Sequence, residues 1–380
     1  KSVTIKTITM ADPHFNSSDR ERIHREIDKI LDESLSMGQN VCAFENEFAD
    51  QMNVKHAIAM NSCTSTLEAA LLAHDVFGKE VIIPSQTFIA TGMAVHLSGG
   101  TPVFAEISPA TMCLDIDDVK SKITPNTVGI VLVHMTGIVT PNIMQFKNLC
   151  DEQNLFLVED AAHAPGALVD GKFAGTIGDV GCFSFFPSKV ITSGEGGMLV
   201  TNNDEIARFA KSYQNRGRDM SSNVEIYNMP GRNVRMTEMS ALLGRIQLEK
   251  LDDFLEKRRA LASIYQRELC GVDGLDVLIP KDIKSSSFWK VPVILNSDID
   301  RSALTDNMRS KGVSVDWAYN PPLHLQPVFM DLYHTFKGQL PITESCLARH
   351  ICLPCHPRMT ETEALYAAQV LKDYLKDRVC

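Results

Sequence analysis

Two residues in this sequence stand where they could do chemistry together. Asp160 closes the apolar run Leu155 to Val158 by way of Glu159, and Lys189 follows a second apolar run, Cys182 to Phe186, through Pro187 and Ser188. Runs of that length read as buried strands, and open α/β sheets collect their ligands beyond the carboxyl ends of such strands. The lysine comes 29 positions after the aspartate, which suits neighbouring strands. Gly194, Glu195, Gly196 and Gly197 then wrap it with backbone that can turn tightly or approach a ligand closely. An amine and a carboxylate presented in this way suit pyridoxal phosphate, which needs an amine for its aldehyde and a carboxylate to keep its ring nitrogen protonated. Spacing alone is also compatible with two ordinary loop residues.

The stretch from Glu159 to Gly197, EDAAHAPGALVDGKFAGTIGDVGCFSFFPSKVITSGEGG, closely resembles the pattern EDAAxAxGAxxxGxxxGxxGDxGxFSFxPxKxIxxGEGG of the DegT/DnrJ/EryC1/StrS family of sugar aminotransferases. The resemblance implies that Lys189 holds the cofactor aldehyde and that Asp160 pairs with the pyridine nitrogen. His163 takes a position that is Gln or His in the family, which implies contact with the ring hydroxyl or with Asp160; by itself it reads as a structural histidine.

Other phrases fill out the site. Asn61-Ser-Cys-Thr-Ser-Thr-Leu67 follows a strand-like run and opens a helix, where amides and hydroxyls meet a positive helix end and can cradle phosphate, although Ser and Thr are also ordinary helix caps. The family's SGTxAL phrase implies phosphate contacts from Thr64 and Ser65, with Cys63 replacing the usual glycine. Ser184 matches a further phosphate ligand, and Phe88, in PSQTFIAT, matches the aromatic that stacks on the ring. Gly231-Arg-Asn-Val-Arg-Met236 resembles GxNxRM, which implies that Asn233 reaches the cofactor phosphate of a neighbouring subunit, although Val234 stands where an aromatic is common. Arg216, Arg218, Arg232 and Arg235 form a basic cluster suited to an anionic substrate group. Tyr319 and His324, in YNPPLHLQ, match the family's hYxPlHlQ phrase and are expected to face substrate.

These residues must be carried by a scaffold. Apolar runs at His56 to Met60, Val81 to Ile83, Val103 to Ala105, Val128 to Val133, Leu155 to Val158, Cys182 to Phe185 and Met198 to Val200 recur roughly every 20 to 25 residues, room for a helix between most of them, as in a doubly wound sheet. Asp19 to Leu35 reads as an opening helix behind Ser17 and Ser18 as caps, with a short second helix around Phe44 and Phe48. Thr237 to Leu269 reads as one long helix capped by Thr237. Ser286 to Leu295 alternates like a strand, Asp300 to Gly312 reads as a helix, and Glu361 to Leu375 as a closing amphipathic one. The resemblance implies an α/β protein of the aspartate-aminotransferase type (fold type I). Residues 1–250 would then form a large domain with a mostly parallel sheet, and residues 251–380 a smaller α+β domain.

Composition bounds the function. The 380 residues are 44% hydrophobic and 22% charged, with a net charge of −10, which argues against a nucleic-acid surface and fits an enzyme with small-molecule substrates. Apolar runs are too short to cross a bilayer, and the opening KSVTIKTITMADPHF has no signal-peptide core, so the expected setting is cytoplasmic. Ten scattered cysteines read as reduced core thiols. The string Cys352-Leu-Pro-Cys355-His356 matches a c-type haem attachment motif but also the family phrase LPxHPxMT, and no metal is expected.

The activity that the resemblance implies is transfer of an amino group, most readily from glutamate, to a keto sugar on a nucleotide carrier, by a homodimer with shared active sites. Cyclitol ketones, an aminated aromatic precursor or a non-catalytic regulator are the alternatives within the resembling family. The presence of Lys189 speaks against a sugar 3-dehydrase, and the absence of GxGxxG against a nicotinamide dehydrogenase.

Overall fold

The computed structural model describes residues 7–377. The first six residues of the opening stretch, and the last three, lie outside the described residues. A seven-stranded sheet is built from β1 (His56–Met60), β2 (Glu80–Pro84), β3 (Thr101–Ala105), β4 (Thr127–Val133), β5 (Phe156–Asp160), β8 (Val180–Ser184) and β9 (Gly197–Thr201), in the order β1-β9-β8-β5-β4-β2-β3. Only β9 runs against the others. The seven apolar runs seen in the sequence are these strands. Between β5 and β8 there is no helix but a small hairpin, β6 (Leu168–Val169) with β7 (Lys172–Phe173).

Strand periodicity assigns the faces. Ile58, Val81, Val131, Val158, Cys182 and Leu199 point to one side and pack under α3 (Cys63–Ala73), α4 (Ile89–Leu97) and α7 (Asp204–Tyr213). On the other side, Ile82, Ile130 and Leu157 meet α5 (Ile116–Lys122) and α6 (Ile143–Gln153), while Ala59, Phe183 and Met198 meet α2 (Gln39–Met52). Because side chains alternate along a strand, Asp160 shares the α3 and α4 side with Val158, and Glu159 takes the other.

Two expectations about helices are corrected. The opening helix α1 (Ser17–Asp32) is capped by Asn16 rather than by Ser17 or Ser18: its side chain accepts from the Asp19 N–H at 2.9 Å while Asp19 accepts from the Asn16 N–H at 2.7 Å. The long helix from Thr237 is two helices, α8 (Glu238–Leu248) and α9 (Leu251–Leu269), with Thr237 capping the first. The apolar spacing continues across the break, so periodicity could not reveal it; Lys250 turns aside there to bond the His14 carbonyl at 3.0 Å and to pair with Asp19. Helix α8 packs with α2, and α9 turns into a second core.

That core joins α9 to a three-stranded sheet, β10 (Leu275–Val277), β11 (Val291–Leu295) and β12 (His350–Leu353), with α10 (Arg301–Ser310) and α13 (Glu361–Lys376). Helices α11 (Pro327–Tyr333) and α12 (Pro341–Arg349) connect the rest. Ile8, from the other end of the chain, pairs with Val313 and is buried in this same core. The strand expected from Ser286 is shorter, since regular pairing begins only at Val291. Cys352 and Cys355 are buried core residues, and the nine described cysteines are unpaired. No described helix is long and apolar enough to cross a membrane.

Candidate active site

At the carboxyl ends of β5 and β8 a cavity of about 480 Å³ opens, within the usual range for a small-molecule site. Asp160, His163, Ser184, Lys189, Thr64, Phe88 and Tyr319 line it. β5 and β8 are hydrogen-bonded neighbours, with Asp160 level with Cys182, so the two strands seen in the sequence do deliver the aspartate and the lysine to one place.

Asp160 is 6% exposed and both carboxylate oxygens are engaged. Thr91 on α4 donates its hydroxyl to Oδ2 at 2.8 Å, and the Ala162 N–H donates to Oδ1 at 3.2 Å. Burial raises its pKa, against these two bonds and the nearby Lys189. A protonated ring nitrogen brought against it would supply the missing counter-charge. Glu159 is no rival for this task. It accepts from the N–H groups of Gly175, Ile177 and Gly178 and lies 2.8 Å from His134 Nε2, on the far face. Burial opposes its ionisation, but those partners outweigh it and hold its pKa below the usual value.

Lys189 lies in the loop after β8, anchored by a bond from its own N–H to the Phe186 carbonyl at 2.9 Å. Its Nζ stands 4.3 Å from the centroid of Trp289. The pKa is lowered from 10.5 to about 8, mainly by burial, with Asp160 and Cys63 opposing and Lys290 adding to the fall. The unfolded chain therefore holds a proton here that the folded chain gives up between about pH 8 and 10.5, so the burden on stability is full below that window and gone above it. Cofactor-free Lys189→Met is accordingly expected to melt higher than cofactor-free wild type near pH 7, and the gap should narrow as the pH passes about 10.5. Thermal melts of both across that range check this; a gap independent of pH would rule out ionisation as its source.

His163 is sandwiched rather than free. Its ring stacks on Trp289 at 3.9 Å and 15°, Nε2 lies 3.0 Å from the Tyr319 hydroxyl, and Nδ1 is buried with no partner. Burial first, then Lys189, Lys290 and His134, push its pKa well below the ordinary value, so it is neutral. Phe88, the residue before α4, is 53% exposed at the cavity mouth, tilted against Tyr319 at 5.6 Å.

Helix α3 aims its amino terminus at the cavity. Its first-turn amides have no carbonyl to reach within the helix. Gly197, at the start of β9, makes the close approach possible, since a Cβ there would lie 2.5 Å from the Ser62 backbone. Ser184, the last residue of β8, lines the cavity together with Thr64. Ser65 does not line the cavity; its hydroxyl donates to Asn61 Oδ1 at 2.7 Å. The unpartnered Nδ1 of His163, the open face of Phe88 and the amide-rich end of α3 together fit a flat ring with a hydrogen-bonding edge and a phosphate.

Other expected residues fall elsewhere. His324 is fully buried: Nδ1 lies 2.6 Å from the Ser85 hydroxyl and Nε2 3.0 Å from Glu344 Oε1, which leaves no nitrogen for substrate. The expectation that it faces substrate is corrected, because its partners stitch two segments together. Asn233 is exposed and outside the cavity wall, opposite Asn215 in an isolated pairing. Arg235 is outside it too, held by the Asn215 side chain, and Arg232 is paired with Glu68 at 3.1 Å.

Three residues were missed by sequence reasoning. Thr91 braces Asp160, and Trp289 stacks on His163 and donates Nε1–H to the Ser188 carbonyl at 2.6 Å, beside Lys189. Lys290 follows it into the cavity wall. Thr91 lay within the quoted PSQTFIAT phrase; Trp289 and Lys290 are a hundred residues from Lys189 and carried no local signal.

The family model for DegT/DnrJ/EryC1/StrS aminotransferases matches residues 17–372. The chain is 30% identical over 378 residues to a GDP-perosamine synthase of Escherichia coli O157:H7, covering 98% of this chain and 100% of that one. Among solved structures it resembles DesI, determined in the presence of its TDP-sugar product, with a TM-score of 0.87, 29% identity and coverage of 100% of this chain and 97% of that one. It also resembles NtdA from Bacillus subtilis with bound cofactor PMP, with a TM-score of 0.88, 25% identity and coverage of 98% and 87%.

Proposed function

The chain belongs to the DegT/DnrJ/EryC1/StrS aminotransferase family, and from that premise we propose that it moves an amino group from glutamate to a keto sugar carried on a nucleoside diphosphate. It is a pyridoxal-phosphate-dependent aminotransferase of fold type I that serves amino-sugar biosynthesis. The nucleotide carrier is supported by the names of the relatives, one acting on a GDP-linked sugar and one holding a TDP-linked product.

The observation that carries the assignment of roles is the meeting of Asp160 and Lys189 at one cavity with a buried, neutral His163 between Trp289 and Tyr319. When bound, the cofactor supplies an aldehyde for amines and a protonated ring that takes up an electron pair. Asp160, braced by Thr91, holds the proton on the ring nitrogen. Lys189, an amine whose pKa burial lowers to about 8, would hold the aldehyde and would take the proton from the donor Cα. His163 offers its free Nδ1 to the ring hydroxyl, Phe88 covers the ring, and Thr64, Ser184 and the amides of α3 receive the phosphate. Ser65 would join them by turning its hydroxyl from Asn61. Tyr319, in the cavity wall, contacts the sugar substrate. A panel of GDP- and dTDP-linked keto sugars and inososes, offered with glutamate, tests the acceptor; amination of an inosose alone would overturn the nucleotide-sugar reading.

We further propose a two-fold dimer in which Asn233 completes the partner's phosphate site, and a division of the chain near residue 250. The exposure of Asn233 outside its own cavity supports the shared site. A cytoplasmic setting is supported by the unpaired thiols. Mixing Lys189→Ala chains with Asn233→Ala chains, each first shown to be nearly inactive alone, should restore activity, since a hybrid dimer gathers both defects into one site and leaves the other intact. Exchange confirmed by mass without any return of activity would place Asn233 in its own subunit's service.

A further inference from the structure

Lys290 is a second lysine in the wall of the reaction cavity, and the roles above leave it unused. It is 8% exposed, and its Nζ donates to Asp316 Oδ2 at 2.6 Å. That nitrogen also lies 4.4 Å from the centroid of Trp289, the same indole over which Lys189 stands at 4.3 Å. A lysine ammonium carries three N–H donors and no acceptor. Asp316 takes one, partly neutralises the charge and holds the group in place; the others are available to whatever fills the cavity.

The charges of the cavity define that ligand. An amino-acid donor brings its carboxylate wherever it brings its amine, and a carboxylate taken out of water needs a paired donor. Among the described residues lining the cavity, the lysines are Lys189 and Lys290, the carboxylates are Asp160 and Glu195, no arginine contributes, and His163 is neutral. Lys189 is committed to the amine chemistry. Asp160 and the phosphate cradle are committed to the cofactor. Lys290 is the cation left over in this chain's own wall, and it shares an indole with the reacting amine.

We infer that Lys290 receives a carboxylate of the amino donor and so fixes the donor's Cα beside Lys189. This rests on the proposal that Lys189 carries the amine chemistry and that glutamate is the donor. The same chemistry would be offered by an acceptor sugar bearing a carboxylate, and separate half-reactions distinguish the two sources.

The test uses holoenzyme, as wild type and as Lys290→Met, Lys290→Gln and Lys290→Arg. In the first half-reaction, glutamate alone is mixed with each and the loss of cofactor colour is followed against glutamate concentration. In the second, the pyridoxamine form is mixed with a GDP-linked 4-keto-6-deoxyhexose, which has no carboxylate on the sugar. The half-saturating glutamate concentration should rise roughly tenfold to a hundredfold in the Met and Gln variants, the loss expected for one charge-assisted hydrogen bond. Their limiting rates should change far less, the Arg variant should stay near wild type, and the sugar half-reaction should be unaltered. An unchanged glutamate dependence overturns the inference, and a defect confined to the sugar half-reaction transfers Lys290 to the acceptor. Should Lys290→Met not fold, the Gln and Arg variants carry the comparison. If wild type itself keeps its colour with glutamate, the donor assignment fails first and this inference falls with it.

Discussion

Lys189→Ala should abolish turnover, by about ten-thousandfold or more, while the protein folds and still takes up cofactor without a covalent link. In the role proposed for it the residue combines the tasks of holding the cofactor aldehyde and moving the Cα proton, and general-base catalysis alone accounts for roughly a hundredfold to ten-thousandfold. Folding should survive because the loop is held by backbone contacts, the Lys189 N–H on the Phe186 carbonyl and the Ser193 N–H on the Phe185 carbonyl, which the substitution leaves in place. Borohydride reduction of wild-type holoenzyme should trap the cofactor on Lys189, as peptide mapping would reveal. A label on Lys290, the neighbouring lysine of the same cavity, would exchange the roles given to the two.

Asp160→Asn should keep the cofactor but lose about a thousandfold in turnover, equivalent to about 4 kcal/mol of barrier at roughly 1.4 kcal/mol per decade. An amide of the same shape can keep its oxygen on the Ala162 N–H and donate its NH2 to the Thr91 hydroxyl, so the strand tip should hold its geometry. What it cannot do is keep a proton on the ring nitrogen, and the electron pair released at Cα then has no sink. The absorbance of the bound cofactor and the kcat of the variant, measured on the same preparation, separate loss of binding from loss of chemistry. Turnover near that of wild type would mean that no carboxylate is needed at Asp160. Glu159 offers no substitute, since it is buried on the opposite face with its oxygens bonded to His134 and three backbone N–H groups.

The strands of the large sheet were legible in the sequence because each is a short apolar run bounded by polar or glycine-containing segments. Asp160 and Lys189 were legible for a related reason: strand tips are local features, and β5 and β8, which deliver them, lie close together in the chain. Where the reading failed, the missing information was distant. Nothing near Leu248 marks the break between α8 and α9, because apolar spacing continues and the turn is held by Lys250 reaching His14 and Asp19. His324 matched a substrate-facing phrase, yet Ser85 and Glu344, both far from it in sequence, occupy its two nitrogens.

By itself, then, the sequence determined the α/β rhythm, the family and the pair Asp160 and Lys189 that the strands bring to one cavity, since all of these are written in runs and phrases of contiguous residues. Which carboxylate faces the cavity was decided only by tertiary structure: Glu159 and Asp160 are adjacent in the chain, and it is the packing of α3 and α4 on one face of the sheet that makes that face the site. The same holds for the wall that Trp289, Lys290 and Tyr319 build around His163. Those residues come from the far end of the chain, and their approach depends on long-range packing that no local pattern encodes.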